Sequence, residues 1–248
     1  MSPKSHEERP LSSFDLGRYV VIDKPLHWTS FDVVNKFRYV LSKALGVRRI
    51  KVGHAGTLDP LATGVVVVCT GKATKTIDEV QLGMKQYVTT LKFGETTPSF
   101  DLESEPDGTY PYAHITEESL KAVLNEFEGE ILQVPPLFSA INVGGTRAYK
   151  LARKGVETEL PPKKILVDRI RVVSFELPFV TLEITCGKGT YIRALARDIG
   201  RALGSGAHLT ALRRTRVGDF TLEGAIAPQD AERFIIEELE KEGYKKEQ

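Results

Sequence analysis

One acidic residue of this sequence stands in an unusual setting. Asp59 lies in the segment GHAGTLDPLATG, residues 53–64, with glycines on both sides and Pro60 directly after it. Proline disfavours the helical conformation of the residue before it, and glycine permits close approaches and backbone angles that a side chain would block. We therefore expect a shaped loop to present Asp59. A carboxylate in this position is a turn-former, which is the commoner role of an isolated Asp-Pro pair, or a nucleophile, metal ligand or helix cap.

Other common chemistries lack the residue patterns that they need. Neither G-x-G-x-x-G nor G-x-x-x-x-G-K-[ST] occurs at a strand-to-helix junction. The histidines show no metal-ligand spacing, so metal catalysis has no support. No Ser-His-Asp arrangement stands out either. The remaining candidates are His54 and Asp59 together, Tyr87 on a strand face, and a stripe of arginines at 193, 197 and 201. Residues four apart share a helix face, so the stripe either binds phosphates or turns one member inward to a buried acid.

The distribution of charge points to a polyanion partner. The formal net charge is only +1, yet residues 186–216 hold many arginines and the single acid Asp198, while residues 95–130 are strongly acidic. Further basic clusters lie at 43–51 and 147–164. Each contact with a phosphate adds affinity that does not depend on sequence, so three basic clusters in a near-neutral chain favour a nucleic acid over plain solvated surface.

Composition and length set the class of protein. The chain has 248 residues, of which 41% are hydrophobic and 27% charged, as in a globular protein with one large core. No apolar run reaches the roughly 18 residues that cross a bilayer, and the polar N-terminus resembles no signal peptide. Cys69 and Cys186 are isolated from each other in the sequence, which fits a reducing cytoplasm. We expect a cytoplasmic protein that does not contact a membrane.

The periodicity of apolar residues predicts an α+β fold with a mixed, mostly antiparallel sheet flanked by helices and loops. The predicted strands are 19–23, 64–70, 84–93, 165–173, 179–186 and about 208–217. The predicted helices follow Thr29, which forms a capping box with Asp32, and Thr116, and cover 190–203 and 228–243. In the third strand, Tyr87 shares a face with Thr89, Leu91 and Phe93.

Seven separated motifs, in order from about residue 19 to 217, resemble the TruB family of bacterial tRNA pseudouridine synthases. They are KP (24–25), GHAGTLDPLATG (53–64), KQY (85–87), VPPLFSAI (134–141), RAYKLARKG (147–155), GKGTYIRALARDIG (187–200) and GAHLTALRRT (206–215). The resemblance implies the pseudouridine synthase fold and isomerisation of uridine 55 in the T-loop of tRNA. It also implies base flipping, with an aspartate-dependent rearrangement of the glycosidic bond that needs no cofactor and no metal.

The resemblance also implies roles for individual residues. Asp59 matches the catalytic aspartate, Tyr87 the tyrosine that stacks on the base, and Arg193 the arginine that pairs with the carboxylate. Substrate-binding positions are Lys24, His54, Tyr191, Leu212, Arg153, Lys188, Arg213 and Arg214. Lys24 has the alternative of a strand-ending turn, and His54 that of a packing residue. Arg213 and Arg214 have the alternatives of generic phosphate contacts or surface charges, and Tyr87 and Leu212 that of core residues.

The same resemblance predicts the organisation and partners of the chain. We expect a flexible segment at 1–16, a catalytic domain at 17–220 and a short acidic helical extension at 221–248, which is too short for the family's RNA-binding PUA domain. The expected partner is the T-arm of tRNA, with no obligatory protein partner and a monomeric state. Two alternatives stay open. One is a module that binds and remodels tRNA, and the other is an aspartyl-nucleophile hydrolase or phosphotransferase, which lacks the metal ligands such a site needs.

Overall fold

The computed structural model describes residues 9–139, 141–152, 154–156 and 160–244. Within these residues the α-helices are α1 (Ser13–Leu16), α2 (Ser30–Ala44), α3 (Ile77–Leu82), α4 (Glu117–Glu126), α5 (Ala148–Ala152), α6 (Ile192–Ala202) and α7 (Ala231–Lys241), and 3-10 helices cover Gly71–Thr76 and Pro228–Asp230. The strands are β1 (Tyr19–Lys24), β2 (Val52–Ala55), β3 (Ala62–Thr70), β4 (Lys85–Phe93), β5 (Glu95–Thr96), β6 (Gly108–Thr109), β7 (Gly129–Gln133), β8 (Asn142–Val143), β9 (Thr146–Arg147), β10 (Lys163–Glu176), β11 (Phe179–Cys186), β12 (Ala207–Val217) and β13 (Phe220–Thr221).

Contacts between Cα atoms divide the chain into two compact units. The first comprises the described residues up to Pro60, Gly64–Gln81 and the described residues from Phe220 onward. Its strands β1 and β2 both pair antiparallel with β3, and a parallel bridge joins Ile22 to Ile226. Helix α2 packs on α7. The helix begins as predicted, because Thr29 and Asp32 exchange side-chain and backbone hydrogen bonds in a capping box.

The first unit differs from expectation near the N-terminus. Residues 1–8 of the predicted flexible segment lie outside the described residues. Residues 9–16, however, include α1, which Ser12 caps and whose Phe14 is fully buried. The side chain of Arg9 pairs with Asp15 at 2.8 Å. A short helix carrying one apolar anchor has too little periodicity to be recognised in a polar sequence.

The second unit comprises Leu61–Thr63 and Leu82–Asp219. Its main strands run in the order β12, β4, β11, β10 and β7, and each neighbouring pair is antiparallel. Helix α6 packs on β12. The predicted face of β4 is confirmed, since its odd-numbered residues are buried, and those at 180, 182, 184 and 186 form the buried face of β11. The expected α+β fold with a mixed, mostly antiparallel sheet is confirmed.

Within the described residues, no helix combines the length and the apolar character that a membrane span requires.

Candidate active site

In the first unit, Asp59 lies on the loop between β2 and β3, and both of its neighbours are anchored. The Leu58 amide donates to the hydroxyl of Ser30 at 2.8 Å, and that hydroxyl donates back to the Leu58 carbonyl at 3.3 Å. The Pro60 carbonyl accepts from the His27 amide at 2.8 Å. Asp59 itself is partly exposed. The backbone on both sides of Asp59 is thus fixed, and a fixed backbone is the kind of positioning that a reacting group needs.

Glycines shape the backbone before and after Asp59, at the start of the loop and inside β3, as the sequence predicted. Gly56 has a φ of 91° and Gly64 a φ of 103°, values at which a residue with a side chain would be strained. The loop therefore turns out of β2 and into β3 in a conformation that other residue types would adopt only at a cost.

Lys24 holds the same loop through hydrogen bonds from its ammonium group. Its side chain is fully buried (0% exposed), and its ammonium donates to the carbonyls of Pro25, Trp28 and Pro60. Burying an ammonium requires compensating hydrogen bonds, which these carbonyls supply. The side chain thus holds the carbonyl of Pro60, the residue that follows Asp59, in line with the structural alternative. The predicted contact of Lys24 with substrate stays a prediction.

His54 lies on β2, where it pairs in register with Val68 of β3 and is partly exposed. It is five residues before Asp59 on the strand that leads into the loop. The structure places it in the same unit as Asp59 and Lys24. Its predicted role in holding a flipped-out RNA conformation stays a prediction.

In the second unit, Tyr87 stands in the middle of a sheet face that carries other predicted residues. Tyr87 is opposite Arg214 of β12 and Ile184 of β11, and Leu212 is opposite Thr89. Directly opposed residues project to the same face of an antiparallel pair. The register therefore brings Tyr87, Leu212 and Arg214 together on one face.

Arg214 is not a surface charge. It is 2% exposed and is the largest of the fully buried side chains, so the alternative of a generic surface arginine is wrong for this residue. Its neighbour Arg213 projects to the other face, where its guanidinium donates to the Thr63 hydroxyl at 3.4 Å. Two adjacent arginines in the sequence thus occupy different environments, which their order alone does not reveal.

The backbone of Tyr191 is fixed at the start of α6. The Tyr191 amide donates to the side-chain carbonyl of Gln133 at 2.9 Å, and the amide group of Gln133 donates to the Tyr191 carbonyl at 3.1 Å. Tyr191 is the N-cap residue but its own side chain makes no cap hydrogen bond. A buried glutamine from the end of β7 therefore holds the backbone at this position.

Arg193 is buried (5% exposed) between two loops. Its guanidinium donates to the carbonyls of Ser99 at 3.1 Å and Phe138 at 2.8 Å, and its Nε lies 3.6 Å from a carboxylate oxygen of Asp101. A planar guanidinium suits this use because its donors form a rigid fork. The predicted pairing of Arg193 with Asp59 stays a prediction.

Two of the three arginines in the stripe on α6 turn their side chains inward. Arg197 is also buried and donates to the Val134 carbonyl at 2.9 Å and to Asp198 at 2.7 Å, with its guanidinium 5.0 Å from the centre of the Phe100 ring. Arg201 is exposed. Arg193 and Arg197 of the stripe therefore bind loop carbonyls to the helix.

The remaining predicted residues lie at the periphery or outside the description. Lys188 is exposed in the turn between β11 and α6, where contact with RNA stays a prediction. Arg153 lies outside the described residues. In the part of the chain that the structure covers, no group of three or more His, Cys, Asp or Glu side chains is arranged to hold a metal ion. Burial raises the pKa of Cys186 to about 11, so this thiol stays protonated at neutral pH and is a poor nucleophile.

Comparison with known proteins decides the family. Residues 42–192 match the family model described as the TruB family pseudouridylate synthase N-terminal domain, and residues 193–245 match that of the tRNA pseudouridylate synthase B C-terminal domain. The tRNA pseudouridine synthase B of Parabacteroides distasonis is 57% identical over 228 residues, which cover 92% of this chain and 97% of that protein. The chain belongs to the TruB family of pseudouridine synthases. It is therefore an enzyme.

Other comparisons agree with this membership. The tRNA pseudouridine synthase B of Flavobacterium johnsoniae is 48% identical over 85% of this chain and 92% of that protein. Among solved structures, a chain of a Cbf5-Nop10-Gar1 complex superposes with a TM-score of 0.68 at 31% identity. The match covers 96% of this chain and 60% of that one, so this chain spans less than two thirds of its structural relative.

The C-terminal match bears on the predicted domain organisation. The predicted acidic helix at 228–243 is confirmed as α7, which buries Ala231, Ile235 and Leu239 as expected. The residues from 221 to 245, predicted as an extension of the catalytic domain, fall within a C-terminal domain that the TruB family itself contains.

Three residues of the second unit were not singled out from the sequence. Asp101 contacts Arg193, Gln133 holds Tyr191, and Lys85 is buried beside the Tyr87 position. Asp101 lies among many acids, and the loop that carries it is more than ninety residues from α6, as the Ser99–Arg193 separation of 94 shows. For Lys85, membership of the KQY motif was the available signal.

Proposed function

We propose that this TruB family enzyme converts uridine to pseudouridine in the T-arm of tRNA, at position 55, with Asp59 as the catalytic carboxylate. The observation that carries the proposal is the anchoring of Leu58 and Pro60 on either side of Asp59. The fixed loop presents a partly exposed carboxylate. The close relatives named above are tRNA pseudouridine synthases, which supports tRNA as the substrate.

The reaction is an isomerisation whose atoms balance without a co-reactant. The N1–C1′ bond breaks and its electron pair goes to the uracil. The base turns, C5 bonds to C1′, the proton on C5 is released to solvent, and N1 takes up a proton. Asp59 either attacks an electrophilic carbon of ribose or base, or removes the proton at C2′, and the proposal holds for each of these routes.

The target base must leave the RNA stack before this bond can be reached, at a cost of a few kcal/mol. Stacking on an aromatic ring returns about 1–3 kcal/mol per base. Tyr87, on the sheet face that it shares with Leu212, is the platform that we assign to the flipped base. Arg193 is the cation that we assign to keep a nearby carboxylate ionised, since an opposite charge favours the charged form.

A basic concavity in the first unit supports RNA as the partner. It measures about 330 Å³ and is lined by the cations Arg49, Lys51, Lys72 and Lys75. Its acidic member, Asp15, is already paired with Arg9. Closely spaced exposed cations suit a chain of phosphates. We assign this surface to the RNA backbone, which would let the enzyme bind and remodel tRNA even when catalysis is blocked.

Release of tritium from C5-labelled uridine in T-arm RNA tests the function. We expect the wild type to release the label, and Asp59→Asn to lower the rate by about 10³-fold or more while it still binds the RNA, as loss of a central catalytic group does elsewhere. Asp168→Asn, an exposed position on β10, is the matched control and should keep the wild-type rate. No release by the wild type, or full release by Asp59→Asn, would contradict the proposal.

A further inference from the structure

Lys85 is a buried cation that the proposed chemistry has not yet used. It is the first residue of β4 and is 6% exposed. Its register partners are Cys186 of β11 and Val217 of β12. Residues two apart on a strand project to the same face at a spacing of about 7 Å. Lys85 therefore lies on the face of Tyr87, one step along the strand.

A second buried cation lies on the same face. Arg214 is directly opposite Tyr87, so Tyr87 stands next to two cationic side chains, one along its own strand and one across. The two cations therefore place two positive charges on the sheet face beside one aromatic ring.

The surroundings of Lys85 lower the pKa of its ammonium group. Burial, followed by the positive charge of Arg214, lowers the pKa of Lys85 to about 8. Cys186 raises this pKa by a smaller amount, and Lys188 has the smallest, lowering influence. These groups face Lys85 from β12, from the turn after β11 and from β11 itself. The ammonium is thus mostly charged at pH 7, but its charge is lost just above neutral pH, unlike that of an exposed lysine.

The isomerisation creates a negative charge where these cations lie. When the N1–C1′ bond breaks, its electron pair goes to the uracil, where it is shared between N1 and the two carbonyl oxygens. The base carries this charge until C5 bonds to C1′. A fixed positive potential stabilises the charged base more than the neutral uridine, which lowers the barrier rather than merely tightening binding.

We propose that Lys85 is a positioning residue for charge: together with Arg214 it maintains a positive potential beside Tyr87 that stabilises the uracil anion while the base turns. Lys85 acts through this potential and not by touching the base. The proposal rests on the proposed function, in which Tyr87 is the platform for the base.

The dependence of kcat on pH tests the proposal with T-arm RNA at saturating concentration. The charged form of Lys85 is present below its pKa of about 8 and is lost as the pH rises through it. We expect the wild-type kcat to fall between pH 7 and 9. Lys85→Arg, which stays charged, should keep at least a third of the kcat at pH 7 and lose this fall. Lys85→Met should lower kcat at pH 7 at least tenfold with little change in KM.

The controls separate this proposal from its alternatives. Lys92→Met removes a lysine from the other face of β4, where it pairs with Glu95, and should keep the wild-type profile. Ionisation of the RNA would appear equally in the wild type and in Lys85→Arg. A wild-type kcat that is flat from pH 7 to 9, the same alkaline fall in Lys85→Arg, or a wild-type kcat in Lys85→Met would each overturn the proposal. A wild type that releases no label at any pH would instead overturn the proposed function.

Discussion

In each of the two units, charged side chains are held by backbone carbonyls. Lys24 donates to the Pro60 carbonyl next to Asp59, and Arg193 and Arg197 donate to carbonyls of the segment 134–138. A hydrogen bond from a charged donor contributes about 1.5–3 kcal/mol. Long cationic side chains thus fix loops through hydrogen bonds to their carbonyls. The loops in turn determine where the proposed catalytic groups lie.

Replacement of Arg193 by lysine tests this use of charge. Arg193→Lys keeps the positive charge, but an ammonium cannot reach the Ser99 and Phe138 carbonyls with the fixed fork of a guanidinium. We expect the free energy of unfolding to fall by about 1–3 kcal/mol, as for the loss of one or two charge-assisted hydrogen bonds. The kcat should fall at least tenfold. Urea denaturation and tritium release at saturating RNA measure these effects.

The matched control is the exposed arginine about two turns further along the same helix. Arg201→Lys lies on α6 as well but makes contact with solvent, so both its stability and its kcat should match the wild type. If Arg193→Lys were as stable and as active as Arg201→Lys, the charge alone would matter and the fork geometry would not.

At the scale of elements, periodicity and capping predicted most of the helices and strands. The period of α2 and its Thr29–Asp32 capping box gave its start to the residue, and the alternation in β4 gave its buried face. These elements were predictable because local sequence and burial agree. The Asp59 loop was predictable for a similar reason, since glycine and proline act on the backbone directly.

Other elements were missed because tertiary contacts form them. β7 lies at the edge of the described sheet in the second unit, and among its residues only Gln133 is buried. It therefore shows no alternation of apolar residues. The hairpins β5–β6 and β8–β9 have two residues in each strand, which is too short for any period. The same limit applies to single residues such as Asp101, whose partner lies far away in the sequence.

The two hydrogen bonds between the side chain of Gln133 on β7 and the backbone of Tyr191 form a clamp at the start of α6. In Gln133→Glu the carboxylate can accept from the Tyr191 amide but cannot donate to the Tyr191 carbonyl, and it repels that oxygen. We expect the free energy of unfolding to fall by about 1–3 kcal/mol. Because α6 begins here, kcat should fall more than KM rises. Thermal unfolding and steady-state kinetics with T-arm RNA measure the two effects.

Gln229→Glu makes the same chemical change at an exposed residue and should alter neither quantity. An active Gln133→Glu protein with wild-type stability would show that other contacts fix the start of α6. A destabilised protein with an unchanged kcat would show that the clamp supports the fold but not the catalytic geometry.

At the scale of the whole molecule, segregated charge accompanies a near-neutral total. The formal net charge is +1, yet the concavity of the first unit is lined by exposed cations at 49, 51, 72 and 75. Elsewhere, two exposed lysines are paired with acids: Lys121 with Glu117 and Lys241 with Glu238, each at 2.6 Å. Cations that are grouped, rather than each neutralised by a neighbouring acid, keep a local positive field at a low total charge.

Salt dependence distinguishes these two kinds of lysine. Each phosphate contact that is lost lowers the magnitude of the slope of log K against log salt by about 1. We expect Lys51→Ala/Lys72→Ala to weaken binding of T-arm tRNA and to lower this magnitude by about 1–2. The kcat at saturating RNA should stay unchanged, because neither lysine belongs to the assigned catalytic set. Lys121→Ala/Lys241→Ala removes the same charge from paired positions and should leave the slope as it is. Equal slopes for both double variants would mean that total charge attracts the RNA, and the concavity would then have no special part in binding.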